Sequence, residues 1–502
     1  MVQRTKFFPA RGGLDLVTPA IEVNPSKLIA ADNYESNQRG YGRVDGYERF
    51  SGKQKPSTAS YWFLNFDAGD LAISEGNTVT GSDSGASGLA SIDAVVTSGT
   101  YAANNAVGYI VLMNVSGTFT NNDPLQVSGA TKVTLNGTAV ERGASNDTDD
   151  ATWMQDAAAT ARTAIAAVAG SGNTRGVATL AGVTYAFRDN SGATAVDVWK
   201  STTSGWTQVA LGLKLAFTSG GTYEVVEGNV ITGATSSVTA TITRVALQSG
   251  SWAAGDAAGY FIFASDSGTY QSENINVGGT SNVATISGDS AAITLAAGGR
   301  FEIKEHNFGG HSGTNRLYGV DGKSLAFEFD GTKMVPILTG MTTDTPAHIM
   351  IHKQHLFLSF TGGSVQHSSL GLPYQFQVIT GAAELGIGEE ITGMHSDVEG
   401  FAVIGGRNKI VVLNGNDVTN WEMVPWSDES GVIEWTMDKL GTLIFVDDQG
   451  VRSLQSSRDY GNFKIGTLSK NIEPIFAAKR KAGTTILATL RTLSKDMYRI
   501  FF

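Results

Sequence analysis

Two stretches of the chain are related in sequence and are copies of one module. Residues 66–140 align with residues 217–291 at an offset of 151 or 152, so that Phe66 matches Phe217 and a Gly-Tyr pair near the middle recurs. In each copy, short segments of alternating apolar and polar residues are separated by Gly and Ser, which indicates β-strands joined by tight turns. Because a repeat predicts one fold used more than once, we expect two homologous small β-sandwich or barrel modules inserted in the chain.

A second, shorter period appears outside the two copies. An apolar strand, a turn, a second strand and an anchor residue recur, and the anchors are Trp206, Met334, Phe376, Trp421 and Phe463. Anchors from Met334 onward lie 42, 45 and 42 residues apart, and removing about 84 inserted residues reduces the interval of 128 between Trp206 and Met334 to about 44. Such a period is typical of β-propeller blades, which must stack because one blade cannot bury both its faces.

These patterns predict an all-β chain with a β-propeller-like core of about five to six blades. Five blades follow from the anchors, and we expect the strand at 61–66 and the last strands of the chain to complete a sixth. One short Ala-rich helix is predicted over 151–170, between an acidic start and a glycine stop. The expected segments are 1–65 (N-terminal docking segment and first propeller strand), 66–141 (first module), 142–175 (linker and helix), 176–211 (a blade), 212–295 (second module) and 296–502 (remaining blades).

Composition and charge restrict the function. The 502-residue chain contains 61 glycines and only 17% charged residues, which favours turn-rich β structure, and it has no cysteine for disulfides or thiolate metal sites. Its net charge of −11 argues against a nucleic-acid reader, which needs a concentrated Lys/Arg face, but suits a surface past which DNA slides. No apolar run approaches the length of a membrane span, and we expect no membrane insertion.

The sequence has no motif typical of catalysis. His348, His352 and His355 are close in sequence, but His355 is expected to face away from the other two if all lie on a strand. Adjacent acid pairs stand beside turns, where solvated carboxylates are a better interpretation than the facing carboxylates of a glycoside hydrolase. Helix capping explains the acidic run at 145–150 more simply than a calcium site does. We therefore predict no enzymatic activity, no cofactor and no metal site.

Residues 33–52 form the densest candidate site, with four aromatic residues, four glycines and alternating charges. Large, rigid aromatic side chains beside charges of both signs are typical of protein interfaces. We expect this segment to lie along the propeller or an adjacent subunit and to help fix assembly. The candidate assembly residues are Tyr34, Glu35, Tyr41, Arg43, Asp45, Tyr47, Glu48, Arg49 and Phe50.

Two stretches of the sequence resemble a known family. Residues 12–57 contain a Gly-Gly-hydrophobic start, an Asn-Tyr-Glu and the run Gly-Tyr-Gly-Arg-Val-Asp-Gly-Tyr-Glu-Arg-Phe. Residues 162–209 lead from the predicted helix through Gly-Ser-Gly into a blade with Tyr-Ala-Phe-Arg-Asp-Asn. Both stretches resemble bacteriophage tail structural proteins of the short-tailed-phage tail nozzle, or tail tubular protein B, type.

The resemblance implies a non-enzymatic virion protein that forms part of the phage tail. Its expected assembly is a ring of six copies that continues the DNA-exit channel from the portal and adaptor proteins. The implied partners are further copies of the chain, the head-to-tail connector, other tail proteins or fibres, and genomic DNA in transient passage without sequence-specific binding. The implied location is the virion tail, after assembly in the host cytoplasm.

Two other functions are compatible with the same β-rich sequence. The first is a carbohydrate-binding or depolymerising host-recognition tail protein, for which Tyr101, Tyr109, Trp252 and Tyr260 are the candidate ligand aromatics. Several of these positions repeat between the two copies, which favours a role in the module core instead. The second is a tail-tip or hub protein of a long-tailed phage, which neighbouring proteins rather than residues would distinguish from a nozzle.

Overall fold

Strands dominate the fold, and the prediction of an all-β chain with propeller-like sheets and inserted barrel modules is confirmed. The chain divides into two compact units, one of residues 1–46, 169–200 and 207–502, and the other of residues 47–168 and 201–206. The computed structural model describes residues 12–37, 40–44, 49–52, 59–142, 148–308, 315–396, 400–454, 467–492, 495 and 497–502.

The first regular element is a hairpin of β1 (Tyr34–Asn37) and β2 (Gly40–Arg43). It follows a compact loop in which Leu14 forms a parallel bridge with Leu28. Inside this loop the Asp15 carboxylate accepts a hydrogen bond of 2.8 Å from Lys27 Nζ. The Lys27 ammonium and the backbone amide of Thr18 hold the pKa of Asp15 well below its usual range. The loop is therefore ordered by its own polar contacts.

The first module is a closed barrel. Six strands pair in the order β3-β9-β8-β4-β5-β7, and β7 returns to β3, while β10 and β6 add to β3 and β7. The prediction that the strand at 61–66 belongs to the propeller is wrong, because Leu64 and Phe66 are buried in this barrel's core. The strands are β3 (Tyr61–Gly69), β4 (Thr78–Gly81), β5 (Ser87–Ala90), β6 (Val95–Ser98), β7 (Ala106–Ser116), β8 (Pro124–Val127), β9 (Ala130–Leu135) and β10 (Val140–Arg142).

The predicted Ala-rich helix is present as α1 (Thr148–Ala164), in the same unit as the first barrel. Ala157 is buried against barrel residues that include Val111. The helix ends at residue 164 and not at 170. Ile165 and Val168, which the sequence pattern places on the helical stripe, are buried after the helix has ended. The apolar periodicity of the sequence therefore extends past the end of the helix, because residues beyond it are buried without being helical.

The first propeller sheet follows the helix. Its strands are antiparallel neighbours in chain order, as expected of a blade built as a meander. They are β11 (Thr174–Leu180), β12 (Val183–Asp189), β13 (Ala195–Thr202) and β14 (Gly205–Gln208).

The second module repeats the first barrel. Six of its strands close in the order β15-β20-β19-β16-β17-β18, so the repeat is one fold used twice. A Cβ on Gly108 would stand 1.8 Å from the Val95 carbonyl oxygen, and one on Gly259 would stand 1.9 Å from that of Ala246. These matched glycines let two strands approach closely. The strands are β15 (Leu213–Gly220), β16 (Val230–Gly233), β17 (Thr239–Ser249), β18 (Ala258–Asp266), β19 (Ser272–Val277), β20 (Thr280–Ser287) and β21 (Ala291–Ala292).

After the second barrel, β22 (Leu295–Ala296) returns to pair with β13, and the remaining blades follow in order. Blade 2 contains β23 (Glu302–His306), β24 (Arg316–Val320), β25 (Ala326–Phe329) and β26 (Met334–Ile337). Blade 3 contains β27 (His348–His352), β28 (His355–Phe360), β29 (Ser364–His367) and β30 (Ala383–Gly386). Blade 4 contains β31 (Ile391–Ser396), β32 (Ala402–Gly406), β33 (Ile410–Asn414) and β34 (Glu422–Ser427).

The described part of blade 5 has three strands, β35 (Asp438–Leu440), β36 (Thr442–Asp447) and β37 (Gly450–Ser453). A helix that the sequence did not predict, α2 (Glu473–Lys481), and the hairpin of β38 (Ala488–Thr492) and β39 (Met497–Phe501) follow it. This hairpin is a two-stranded sheet by itself, and the strand at 61–66 does not join it. Neither α1 nor α2 combines the length and apolar composition needed to cross a bilayer, and no other described helix does.

Three of the five anchor residues pack where the blade period predicts, and a fourth, Trp206, lies in β14 of the first propeller sheet. Met334 is buried in the core that blades 1 and 2 share, Phe376 packs against the core of blades 2 and 3, and Trp421 packs against that of blades 3 and 4. Phe463 lies outside the described residues. Neighbouring sheets therefore share apolar cores, which is the interaction that a propeller uses in place of a single central core.

Candidate functional site

The hairpin within the predicted assembly segment is tied to the last hairpin of the chain. Both carboxylate oxygens of Glu35 are used, one by Lys495 Nζ at 2.6 Å and the other by Arg499 Nη2 at 2.6 Å. A second contact lies earlier in the N-terminal segment, where the backbone amide of Leu16 donates a hydrogen bond of 2.8 Å to the carbonyl of Asn471. The N-terminal residues of this unit therefore lie along its C-terminal residues.

The other predicted residues of this segment have different surroundings. Tyr34 is 58% exposed, Arg43 is exposed and Tyr41 is half-buried. In the second unit, Arg49 is exposed, and the Phe50 ring meets Trp206 edge-on at 5.3 Å between centroids. The predicted residues Asp45, Tyr47 and Glu48 lie outside the described residues. The segment thus contributes an anchored hairpin to one unit and a packed aromatic residue to the other.

A polar cavity lies where blades 2 to 5 converge. It has a volume of about 230 Å³ and is lined by the start of β23, by β27 and β31, by the residues before β35 and by β38. Because each blade contributes its first strand, side chains from distant parts of the sequence meet here. The charged residues and histidines of its lining are Arg300, Glu302, Lys304, His348, His395 and Asp438.

The charges of this axial cavity are largely paired. Glu302 Oε2 lies 3.0 Å from His348 Nδ1, and Glu302 Oε1 lies 3.0 Å from Lys304 Nζ. Burial raises the pKa of Glu302, but the nearby Lys304 and His348 outweigh it and lower the pKa to about 2. His348 Nε2 lies 3.6 Å from Glu434 Oε1, so this buried imidazole stands between two carboxylates. The contact between Glu302 and His348 therefore connects blade 2 to blade 3.

The three neighbouring histidines do not share one strand, because His348 and His352 lie on β27 and His355 lies on β28. Contrary to the expectation for a single strand, His352 and His355 lie together near Trp421, and His348 lies apart from them. His348 lies in the axial cavity with its ring 4.6 Å from that of Trp435, whereas His355 and His367 lie 5.0 and 4.9 Å from Trp421. Burial lowers the pKa of all three histidines near Trp421, that of His352 to about 4. Among the described residues, no group of three or more His, Asp or Glu side chains has the geometry to hold a metal ion.

The aromatic residues considered for carbohydrate binding pack inside their own units. Trp252 is buried and stacks on Phe217 at 5.3 Å. Tyr109 stacks on Phe63 at 4.9 Å, and Tyr260 packs against the core that the second barrel shares with blades 1 and 2. Tyr101 packs at the edge of the first barrel's core. These aromatic positions recur between the copies because they belong to the barrel architecture.

A buried ionic network that sequence reasoning missed joins the second barrel to blade 2. Glu328 is fully buried in β25, and its Oε1 accepts a hydrogen bond of 2.5 Å from Arg316 Nη1. Its Oε2 accepts hydrogen bonds from Tyr318 at 2.8 Å and Tyr374 at 2.6 Å. The Nε of Arg244, in β17 of the barrel, lies 3.4 Å from Glu328 Oε1. The sequence signal for this network is a carboxylate within the apolar run Ala-Phe-Glu-Phe, because a charge that is buried in such a strand needs partners.

Arg244 has two further carboxylate partners. Its Nη2 donates to Asp330 Oδ2 at 3.0 Å, and its Nη1 donates to Glu227 Oε1. Burial lowers the pKa of Arg244, but Glu328 and Glu227 outweigh that effect and raise it. Three carboxylates therefore hold one guanidinium, which places the second barrel at a defined position on blade 2.

Comparisons with solved structures concern the fold alone. The structure described as "apo AztD from Citrobacter koseri" is 9% identical and has a TM-score of 0.27, with 80% of this chain and 94% of that chain covered. Virginiamycin B lyase from Staphylococcus aureus is 10% identical and has a TM-score of 0.22, with 72% of this chain and 88% of the lyase chain covered. The designed Ika8 protein is 10% identical with a TM-score of 0.23, over 57% of this chain and 86% of that one. No protein-family model and no curated protein matches the chain.

Proposed function

We propose that this chain is a non-enzymatic structural protein of a bacteriophage tail. In this proposal it is a subunit of a nozzle or tail-tube ring that continues the DNA-exit channel from the portal and adaptor proteins. The sequence resemblance at residues 12–57 and 162–209 motivates the proposal. The observation that carries it is the attachment of the N-terminal hairpin, because Glu35 is bonded to Lys495 and Arg499 while Tyr34 remains 58% exposed.

This attachment supports an assembly role in two ways. The bonds of Glu35 fix the hairpin backbone, so a partner that docks there does not have to order a free segment. Exposed Tyr34 and Arg43 belong to the residue types enriched at the centres of protein interfaces. A fixed backbone that presents such side chains is suited to subunit contact.

The proposed partners are further copies of the chain in a ring of six, the head-to-tail connector proteins, and other tail proteins or fibres. Genomic DNA would pass through the ring transiently. The net charge of −11 supports passage without adhesion, since phosphates are repelled by a surface of the same sign. The proposed location is the virion tail, after assembly in the host cytoplasm.

The proposal is tested by imaging the purified full chain and by mass photometry. We expect rings with a central hole in negative stain and a particle mass six times the 52.7 kDa of one chain. The double variant Tyr34→Ala/Arg43→Ala should reduce ring formation. Tyr223→Ala, which truncates a tyrosine that is 37% exposed in the second barrel, is the matched control and should assemble normally.

Two outcomes would contradict the proposal. One is a strictly monomeric protein in purified virions, or its absence from them. The other is ring formation by the double variant at the level of the unaltered chain, which would remove the hairpin from the assembly contact.

A further inference from the structure

A second cavity lies between blade 5, α2 and the last hairpin. It shares Arg300 and Trp435 with the axial cavity, but its lining is more apolar. Its volume is about 490 Å³, which is within the range of small-molecule sites. Much of its wall is apolar or aromatic, as in most ligand pockets. The residues that form this apolar wall are Ile433, Trp435, Val446, Phe476, Leu487 and Phe502.

Cations border this apolar wall. The guanidinium of Arg300 lies over the Trp435 ring, 4.4 Å from its centroid, and Lys479 Nζ lies 5.2 Å from the centroid of Phe502. Arg480 lies on the same helix as Lys479 and also lines the cavity. Cations over aromatic faces are held in position while their hydrogen-bond donors remain available to a ligand.

Most of the carboxylates in the cavity wall are already paired. Asp447 lies 2.6 Å from Arg452 Nε, and Asp448 lies 2.5 Å from Arg407 Nη2. Within the described parts of the chain, the salt bridges of 4.0 Å or less do not include Arg300, Lys479 or Arg480. Glu434, which is half-exposed, is the remaining acid of the lining. The cavity thus has an excess of cations in a protein whose net charge is −11.

We propose that this cavity binds an amphipathic organic anion, with a flat apolar body and one acidic group. The acidic group would accept hydrogen bonds from the Arg300 guanidinium, whose planar fork matches a carboxylate. The apolar body would lie against Trp435, Phe476 and Phe502. Burial lowers the pKa of Arg300 even though nearby Glu434 and Glu302 oppose this effect, so these two carboxylates do not fully offset the burial of its charge. The inference does not depend on the proposed tail function.

The test uses two probes of nearly the same shape, 2-naphthoate and 2-naphthamide, titrated into the full-length protein by isothermal calorimetry. We expect saturable binding of one naphthoate per chain and binding of the neutral amide that is at least about tenfold weaker, the typical effect of losing one charged hydrogen-bond partner. Equal affinities of acid and amide, or no saturable binding of millimolar naphthoate, would overturn the proposal.

The site is located by matched variants. Arg300→Gln should weaken naphthoate binding about tenfold. Arg142→Gln is the control, because Arg142 lies over the Phe63 ring at the same distance of 4.4 Å but not in this cavity, and it should leave binding unchanged. Equal effects of the two substitutions would refute the assignment. Lys479→Gln, on the surface of α2, provides a second test that does not disturb the blades, and an unchanged affinity in both Arg300→Gln and Lys479→Gln would also refute it.

Discussion

Val111 in the first barrel and Ile262 in the second occupy equivalent positions, 151 residues apart, but they contact different partners. Val111 is buried against α1, near Ala157. Ile262 is buried against the blade core that includes Phe327 and Phe329. Each barrel therefore buries the equivalent outer face. In the first barrel this face is covered by helix α1, and in the second barrel it is covered by propeller blades.

The contact between α1 and the first barrel gives the first prediction. Ala157→Glu places an unpaired carboxylate in a buried helix–barrel contact and should destabilise the docked helix by about 3 kcal/mol. The measurement is hydrogen exchange, in which α1 should lose its protection. Ala159→Glu, which makes the same change on the exposed face of the same helix, should retain it. Retained protection of α1 in both variants would show that the helix does not depend on this contact.

The Arg244–Glu328 network gives the second prediction. Glu328→Gln leaves two arginines without their buried carboxylate and should lower the free energy of unfolding by about 3–5 kcal/mol in urea denaturation. Glu227→Gln removes another carboxylate partner of Arg244, but its side chain is 56% exposed, and the loss should be about 1 kcal/mol or less. If the two variants lose similar stability, the buried network does not fix the barrel.

The attachment of the N-terminal hairpin gives the third prediction. The side chains of Lys495 and Arg499 are 42% and 35% exposed, so each ion pair with Glu35 should contribute only about 0.5–1 kcal/mol. A double-mutant cycle of Glu35→Ala and Arg499→Ala, read by hydrogen exchange in β1 and β2, should give a coupling energy in that range. Salt should reduce the coupling. A coupling of zero at low salt would mean that other contacts hold the hairpin.

The fourth prediction concerns acid stability of the second barrel. Burial raises the pKa of Glu273, but hydrogen bonds from the Ser236 side chain and from the backbone amides of Thr235, Ser236 and Gln271 lower it to about 2, below its ordinary value of 4.5. A folded-state pKa below the unfolded one stabilises the protein at pH values above the unfolded pKa. This stabilisation should therefore be present above pH 4.5 and be lost as the pH falls towards 2.

Thermal melts of single variants between pH 6 and pH 3 measure this effect. Glu273→Gln should lower the melting temperature at pH 6 and flatten its decline on acidification. Glu224→Gln, at an exposed position of the same barrel, should keep the melting temperature and its pH dependence. An unaltered acid profile in Glu273→Gln would assign the pH dependence to other carboxylates.

Much of the fold could be predicted from local patterns, and the errors have a common cause. The repeat predicted two like modules, and the anchor period predicted blades around Met334 and Trp421. The prediction that the strand at 61–66 belongs to the propeller is wrong because an isolated apolar strand does not identify its partners. Its pairing with β7, more than 40 residues later, is decided by packing of Leu64 and Phe66 in the barrel.

The candidate site was only partly predictable for the same reason. Aromatic residues and alternating charges predict that residues 33–52 are a docking segment, but no local pattern indicates that Glu35 bonds residues 460 and 464 positions later. The axial cavity and the second cavity are likewise lined by residues from several blades, and none of these residues stands out in its own stretch of sequence.

The repeating units of this protein follow from its amino-acid sequence, because strand alternation, turn glycines and helix propensity depend on residues that are close along the chain. The contacts of each unit depend instead on the folded arrangement of residues that are distant along the chain. Val111 and Ile262 have equivalent places in equivalent barrels, yet one meets a helix and the other a blade, because burial of an apolar face requires a complementary surface and does not specify where in the chain that surface originates.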